Sequence, residues 1–329
     1  MAKSSNIDEI TERRREEIEA KLHRIYSKAA TETADKNARF YARLKEKAAK
    51  KLEKVNAGEI TMAEFQGWLQ RQMVTGKINE DHMAALAARL TDANTTAAAY
   101  VNGETPSILA QNYNWAAYDF ETTYGNLSFA LYDEDTVRRL IAENPEILPP
   151  VSVDVPIDER WNRDKIRDEI ISAIIQGKSI PEIADSIRSV AKMDEAAGIR
   201  NARTAITSAQ NAGRQASYER AAAMGIQVTK RWVASMDGRT RDSHRNMDGV
   251  EVPYDKPFVT PLGSVMMHPG DMSGLPGDLY NCRCTMRTAE KPGIEAEARH
   301  RRARDPATGE NIVISDMTYT QWERWKRRG

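Results

Sequence analysis

The sequence predicts a mainly α (α+β) protein in which a helical N-terminal region precedes a domain of helices and a small β-sheet. Three observations carry this expectation. Apolar residues recur at helical spacing through the first hundred residues, a second block of the same kind runs from about Trp161 to Met224, and from Val228 onward prolines and glycines break the chain into short apolar pieces. At 329 residues with 40% hydrophobic composition, the chain can bury two ordinary cores.

Taken in order, Ile18, Leu22, Ile25 and Ala29 form one amphipathic stripe, and Phe40, Leu44, Ala48 and Leu52 form another, with Lys, Arg and Glu between them. Asn56-Ala57-Gly58 ends that run. Thr61-Met62-Ala63-Glu64 has the spacing of a capping box, in which a Thr side chain and a Glu three residues later satisfy each other's backbone amides; it opens a helix bearing Phe65, Trp68, Leu69 and Met73. Asn102-Gly103-Glu104-Thr105-Pro106 reads as a turn, and Asn144-Pro145 through Pro149-Pro150 as a boundary that no helix crosses. The expected domains are therefore 1–150, an elongated helical region suited to partner binding, and 151–329. In the second, Val151, Val153 and Val155 alternate as a short strand or extended connector. Ile166, Ile170 and Ile174 make a helix, Gly177 ends it, and Ser179-Ile180-Pro181-Glu182 starts the next. Ala205, Ala209, Ala212 and Ala216 then offer a narrow seam for close helix packing. Tyr319, Trp322 and Trp325 are expected to dock the last segment back on the body.

Charge excludes some functions. The 48 basic and 48 acidic residues cancel, so no global field announces a nucleic-acid or membrane partner, although both ends are basic and the second quarter is acidic. No run approaches the roughly 20 apolar residues of a membrane-spanning helix, and the first residues do not form an apolar signal core; the protein is expected in the cytoplasm. The two cysteines, Cys282 and Cys284, are one residue apart, which would make a disulfide between them a strained ring, so a disulfide framework is excluded.

The most informative stretch runs from Arg231 and Trp232 through Asp237-Gly238-Arg239-Thr240-Arg241 to His244, followed by Asp248-Gly249, Pro257-Phe258, His268-Pro269-Gly270-Asp271 and Asn281-Cys282-Arg283-Cys284. This order resembles the signature of the Mu F-like head-morphogenesis family of tailed phages: a Trp-containing strand, an Asp-x-Arg-Thr-Arg-x-x-His block, a Phe, a Pro-Gly-Asp turn and a terminal Asn-Cys-Arg-Cys. The preceding Arg203-Thr204 and Asn211-Ala212-Gly213-Arg214 resemble the stretch that leads into it. The likeness covers about residues 160–290. It implies a minor head protein present in few copies at the portal vertex, with the portal and other head proteins as partners and no membrane partner. It also implies a role in head assembly, DNA packaging or DNA delivery, a stay in the host cytoplasm and then the virion, and no catalytic residues. The alternative is a metal-dependent nuclease or a toxin-like modifying enzyme built on the same domain, against which no second paired carboxylate or nucleophile elbow is spaced to complete a site.

The residues themselves suggest a metal. Thiolate and imidazole are preferred zinc ligands, and His244, His268, Cys282 and Cys284 would supply four to a segment too rich in Gly and Pro to be held by packing alone, giving a closed, structural zinc site. The other reading makes the cysteines semi-buried strand residues and leaves His244 to hydrogen-bond the Asp237 loop. It is preferred because the one-residue spacing departs from common zinc knuckles. Asp237 to Arg241 likewise reads first as a tight turn bracing a helix that begins near Arg241. Gly177 to Ala184 has the look of a DNA-reading helix-turn-helix, but Asp194 and Glu195 stand where phosphates would lie, so a plain helical hairpin is expected. Non-specific DNA contact is expected instead from Arg299, Arg301, Arg302 and Arg304.

Overall fold

The computed structural model describes residues 7–124, 127–176, 178–289, 300–304, 311–315 and 318–328, and only the backbone at 74, 75, 180, 184, 300–304 and 311–315. Helices dominate, as the stripes predict. They are α1 (Ile7–Asn56), α2 (Met62–Gln70), α3 (Lys77–Tyr124), α4 (Glu134–Glu143), α5 (Val155–Ile175) and α6 (Ile180–Ala223). Strand β1 (Thr229–Val233), the short helix α7 (Asp242–Arg245) and strands β2 (Glu251–Pro253), β3 (Phe258–Val259) and β4 (Val265–Met266) follow. Then come α8 (Pro276–Leu279), β5 (Thr285–Thr288), β6 (His300–Arg304), β7 (Asn311–Ser315) and α9 (Tyr319–Lys326). No described helix is long and apolar enough to cross a membrane.

The chain divides into two compact units that are interleaved along the sequence, not consecutive about residue 150 as expected. One takes residues 1–17, 101–151 and 200–329; the other takes 18–100 and 152–199. The physical reason is helix length: α1, α3 and α6 are 50, 48 and 44 residues long, and each contributes a stretch to both units.

The second unit is a set of helices closed around apolar stripes. In this unit the buried positions on α1 are Ile18, Leu22, Tyr26, Ala29, Thr33, Ala34, Asn37, Tyr41 and Leu44, one continuous seam, whereas Leu52 is exposed. Met83, Leu86 and Leu90 of α3, Ile166 and Ile170 of α5, and Ile183, Ile187 and Val190 of α6 complete the core. The capping box at α2 forms as expected, with the Thr61 side chain accepting from Glu64 N and Thr61 N donating to Glu64 Oε2 at 2.8 Å. Ser179 caps α6 in concert with Glu182, its amide donating to Glu182 Oε2 at 2.7 Å.

The first unit corrects one expected turn. Residues 102–106 do not turn; α3 continues through Pro106. Proline removes the amide that would bond the carbonyl four residues back. That carbonyl, Asn102 O, accepts from the Thr105 hydroxyl instead, and Gly103 O accepts from Arg138. The Asn102 side chain meanwhile clamps Val151 through both its N–H and its carbonyl, at 2.8 and 2.9 Å. Val151 to Asp154 form the extended connector, and α5 begins at Val155 with Asp154 as its N-cap.

The sheet of the first unit has the order β2-β1-β5, all antiparallel, with Arg231 opposite Glu251 and Trp232 opposite Met286. Two hairpins, β3-β4 and β6-β7, accompany it. Its core joins Trp232, Phe258, Met266, Cys282, Cys284 and Met286 to Tyr113, Phe120 and Phe129 and to Trp322 of α9. The docking expected of the last segment holds: Trp322 Nε1 donates to Glu121 Oε2 at 2.6 Å, and Tyr319 packs on Trp115 with ring centres 4.5 Å apart. The alanine seam of α6 allows close approach to α3. A Cβ on Gly213 would sit 2.3 Å from Leu109 O, so only glycine fits.

Candidate functional site

The motif residues are gathered around the β1 end of the sheet by a polar stripe on α6. Thr204, Thr207, Asn211 and Arg214 recur every three or four residues, so they share one helix face. Each holds backbone of the Asn281–Met286 segment. Thr204 Oγ1 accepts from Asn281 N at 3.2 Å, and the Thr207 hydroxyl donates to Cys282 O at 2.5 Å. Asn211 donates from Nδ2 to Pro269 O and Cys284 O, at 2.9 and 3.1 Å, and accepts at Oδ1 from Met286 N and the Thr285 hydroxyl. Arg214 donates to Met286 O at 2.8 Å and pairs with Asp8 Oδ1 at 2.5 Å. Burial pushes the Asp8 carboxyl up, but Arg214 and Arg287 outweigh it and leave it below its ordinary value. The Pro269-Gly270-Asp271 turn lies against the same helix. Gly270 has a φ of +79°, and a Cβ there would meet Ser208 N at 3.0 Å, so glycine is required twice over.

The block after β1 is a braced turn. Asp237 Oδ1 accepts from Arg239 N at 2.8 Å, the Thr240 hydroxyl donates to Ser235 O, and Arg241 donates to Tyr280 O. Arg283 forks onto both Asp237 oxygens at 2.5 and 2.7 Å, and these bonds hold the Asp237 carboxyl well below the usual carboxylate range. Asn281 is the one described non-glycine residue with positive φ, +56°, which lets Cys282 and Cys284 turn inward. A cavity of about 390 Å³ lies beside the pair, with Asp8, Glu12, Gln210, Asp237 and Arg283 among its lining.

Behind the turn, Trp232 is fully buried and meets His244 edge-to-face at 5.5 Å and Phe258 at 5.3 Å. His244 lies on α7, the helix expected to begin near Arg241. Its Nδ1 is 3.3 Å from Cys284 Sγ and 3.8 Å from Cys282 Sγ. The ligand atoms of these three residues all lie within 4.8 Å of one another. The contact between the two sulfurs pushes the Cys282 thiol up, and the same contact brings Cys284 down. On its other side, His244 Nε2 is 3.4 Å from Asp278 Oδ1, close enough for an ion pair but not aligned as a hydrogen bond. Asp278 is fully buried and accepts from the hydroxyls of Ser243, Thr260 and Ser264 at 2.9, 2.5 and 2.6 Å. Burial pushes its carboxyl up, and these hydroxyls bring it below its ordinary value.

His268, expected as a fourth ligand, is not in this group. It is buried separately, with Nδ1 3.1 Å from Pro269 O, and burial holds its imidazole below the ordinary value. The Pro269 carbonyl, not the cysteine pair, is the partner of its ring. Arg299 lies outside the described residues. Arg301, Arg302 and Arg304 fall on β6, opposite Ile314, Val313 and Asn311. The residues that sequence reasoning missed are Asp278, Lys230 and the role of Asn211. Lys230 is fully buried, donating from Nζ to Met267 O at 2.7 Å and to Gln215 Oε1 at 3.1 Å. The available signal was polar residues at helical spacing on an otherwise alanine-rich helix; Asp278, directly after Pro276-Gly277 in the one-turn helix α8, offered none.

The comparisons follow the same geography. Residues 164–287 match the family described as "Phage Mu protein F like protein". Over 224 residues the chain is 33% identical to the "Minor head protein GP7" of Bacillus phage SPP1, covering 66% of this chain and 68% of that protein. The chain therefore belongs to the Mu F-like family of phage minor head proteins. It is also 36% identical over 120 residues to the "NAD(+)--arginine ADP-ribosyltransferase EFV" of Enterococcus faecalis, and 30% identical over 121 residues to an uncharacterized protein of Haemophilus influenzae. Each of these matches spans 24% of the relative, about a quarter of its length. No solved structure matches the chain.

Proposed function

We propose that this chain acts at the portal vertex of a phage head, assisting head assembly and the packaging or delivery of DNA. The observation that carries the proposal is the extent of the likeness to the SPP1 minor head protein. It runs over 224 residues, well beyond the 164–287 signature, and so takes in helical regions outside the motif as well. The site chemistry supports a structural reading. Asp237 is paired with Arg283, and His244, Cys282 and Cys284 are at most 2% exposed, so the imidazole and thiols of the motif are closed to a substrate. The match to the ADP-ribosyltransferase spans too little of that enzyme to bring its activity here.

The test is co-expression of the full chain with the portal protein of the same particle, followed by size-exclusion chromatography and negative-stain imaging. A stable complex with added density on the portal ring is expected. A chain that elutes alone, with heads that assemble and fill normally in its absence, would overturn the assignment. Contact with packaged DNA belongs to the same proposal. Neutralising Arg299, Arg301, Arg302 and Arg304 should weaken binding to any duplex about equally and flatten its salt dependence, because phosphate contacts carry no sequence information.

A further inference from the structure

We propose that His244, Cys282 and Cys284 bind one zinc ion through three protein ligands, His244 Nδ1 and the two sulfurs, with Asp278 as the positioning carboxylate behind the histidine. This goes beyond the head-protein reading and does not depend on it.

A tetrahedral zinc with Zn–S near 2.3 Å and Zn–N near 2.0 Å places nitrogen and sulfur about 3.5 Å apart. The two N···S distances are 3.3 and 3.8 Å, on either side of that value, and the three ligand atoms lie within 4.8 Å of one another. A thiol packed as an ordinary core side chain has no need to face a second thiol and an imidazole nitrogen at once.

The surroundings point the same way. A metal-ligating histidine characteristically gives its other ring N–H to a carboxylate, which fixes the tautomer and leaves the first nitrogen's lone pair free. Asp278 Oδ1 stands 3.4 Å from Nε2, in the position for that role. It is anchored by three hydroxyls, so its place is set without the histidine. The Nε2 atom is itself buried and unpartnered by a well-aligned hydrogen bond. A shift of the ring toward a bound ion is the movement left open to it. Binding releases the thiol protons to solvent and leaves both sulfurs as thiolates on the ion.

The donor set selects the metal. Two thiolates and an imidazole suit zinc and disfavour the hard oxygen-seeking cations. Among the described residues no fourth His, Cys, Asp or Glu joins the group, so the remaining position falls to a water molecule. With every protein ligand at most 2% exposed, that position is closed to substrates, and the ion's work is to tie α7 and the Asn281–Cys284 turn to the β1 strand.

The full chain, purified without a histidine tag or chelator, should carry close to one zinc per chain by elemental analysis. Stripped protein titrated with Zn²⁺ should regain that stoichiometry and its melting temperature. Titration with Co²⁺ should produce the sulfur-to-metal charge-transfer absorption of two thiolates, absent in Cys284→Ser. Asp278→Asn should keep the absorption but weaken Zn²⁺ binding by about tenfold or more, a readout that loss of packing alone would not move in a folded variant. Should either variant fail to fold, the wild-type Zn²⁺ and Co²⁺ titrations decide alone. Substoichiometric zinc, no thiolate absorption with Co²⁺ and a melting temperature indifferent to EDTA and to added Zn²⁺ would overturn the proposal and leave the two cysteines as buried residues of the turn.

Discussion

The two units solve the same problem by different chemistry. The unit formed by 18–100 and 152–199 buries stripes of Ile, Leu and Val and tolerates a few polar residues among them; the motif end of the other unit is mostly turns, and it is held by side chains that bond backbone. In the first case the helices satisfy their own amides and the stripes need only fit. In the second, short strands and turns leave many amides and carbonyls unpaired, so α6 carries Thr207, Asn211 and Arg214 to receive them. Apolar packing accepts many residues of similar shape. Backbone recognition accepts few.

The largest effect expected is on chain integrity. Because the units interleave, a fragment of residues 150–329 lacks the 1–17 segment and nearly all of the 101–151 segment of one unit, and the 18–100 segment of the other. It should show no cooperative thermal transition and poorly dispersed amide resonances. A fragment that melts cooperatively would mean that the units are consecutive after all.

Next in size are substitutions that separate the two kinds of core. Leu90→Ala should cost about 3 kcal/mol, and Leu90→Met less than about 1.5, since shape is largely kept. Asn211→Asp also keeps the shape, yet it should cost about 3 kcal/mol or more. It removes the donor to Pro269 O and Cys284 O and sets a carboxylate against them. Denaturant midpoints of the three variants give the comparison directly. Equal tolerance of the two shape-conserving changes would erase the distinction between the units.

The same distinction governs what could be read in advance. The helices, the two N-caps and the family likeness were legible because periodicity, capping pairs and the Asp-x-Arg-Thr-Arg-x-x-His block are local signals. The α1 seam was legible only in part. Thr33 and Asn37 are buried within it and broke the apolar pattern, so that Tyr26 and Tyr41 were passed over in favour of Ile25 and Phe40. Pro106 read as a turn because the Thr105 hydroxyl and the Arg138 guanidinium that serve its orphaned carbonyls come from outside the dipeptide rules. At the site, ligand chemistry named His244, Cys282 and Cys284 but also His268, since residue type cannot say which way a Pro-Gly turn aims a ring. The interleaving of the units was invisible, because it is set by helix length in space.

A further effect separates the units by pH. Asp194 is buried in the helical unit, and desolvation, followed by the charge of Asp158, raises its carboxyl to about 7. A carboxyl raised in the folded state binds a proton that the unfolded chain has released, so stability falls as pH rises from about 4 to about 7. Asp194→Asn should remove this slope and stabilise the protein by about 4 kcal/mol at pH 8. Melting curves of wild type and variant across that window should converge near pH 4; parallel curves would show that Asp194 is not the titrating group.

The smallest effect, and the opposite sign, is expected at Asp237. Its carboxyl is held down by Arg283, so whatever stability it contributes is present above the unfolded carboxylate range near pH 4 and is lost as pH falls below it. The pair is bidentate, but the Asp237 side chain is 43% exposed and that of Arg283 28%, so solvent and salt screen it. Asp237→Asn should shift the melting temperature by no more than a degree or two at neutral pH, and by less in high salt. The turn keeps its Thr240 bond to Ser235 O and the Ser235 hydroxyl bond to Arg283 O, so the neighbouring cysteines stay in place. The measurement is melting of Asp237→Asn and Arg283→Gln at pH 7 in low and high salt. A large loss that salt does not reduce would show that the fork is a buried linchpin of the motif. The motif end would then depend on its ion pair as well as on the backbone bonds made by α6.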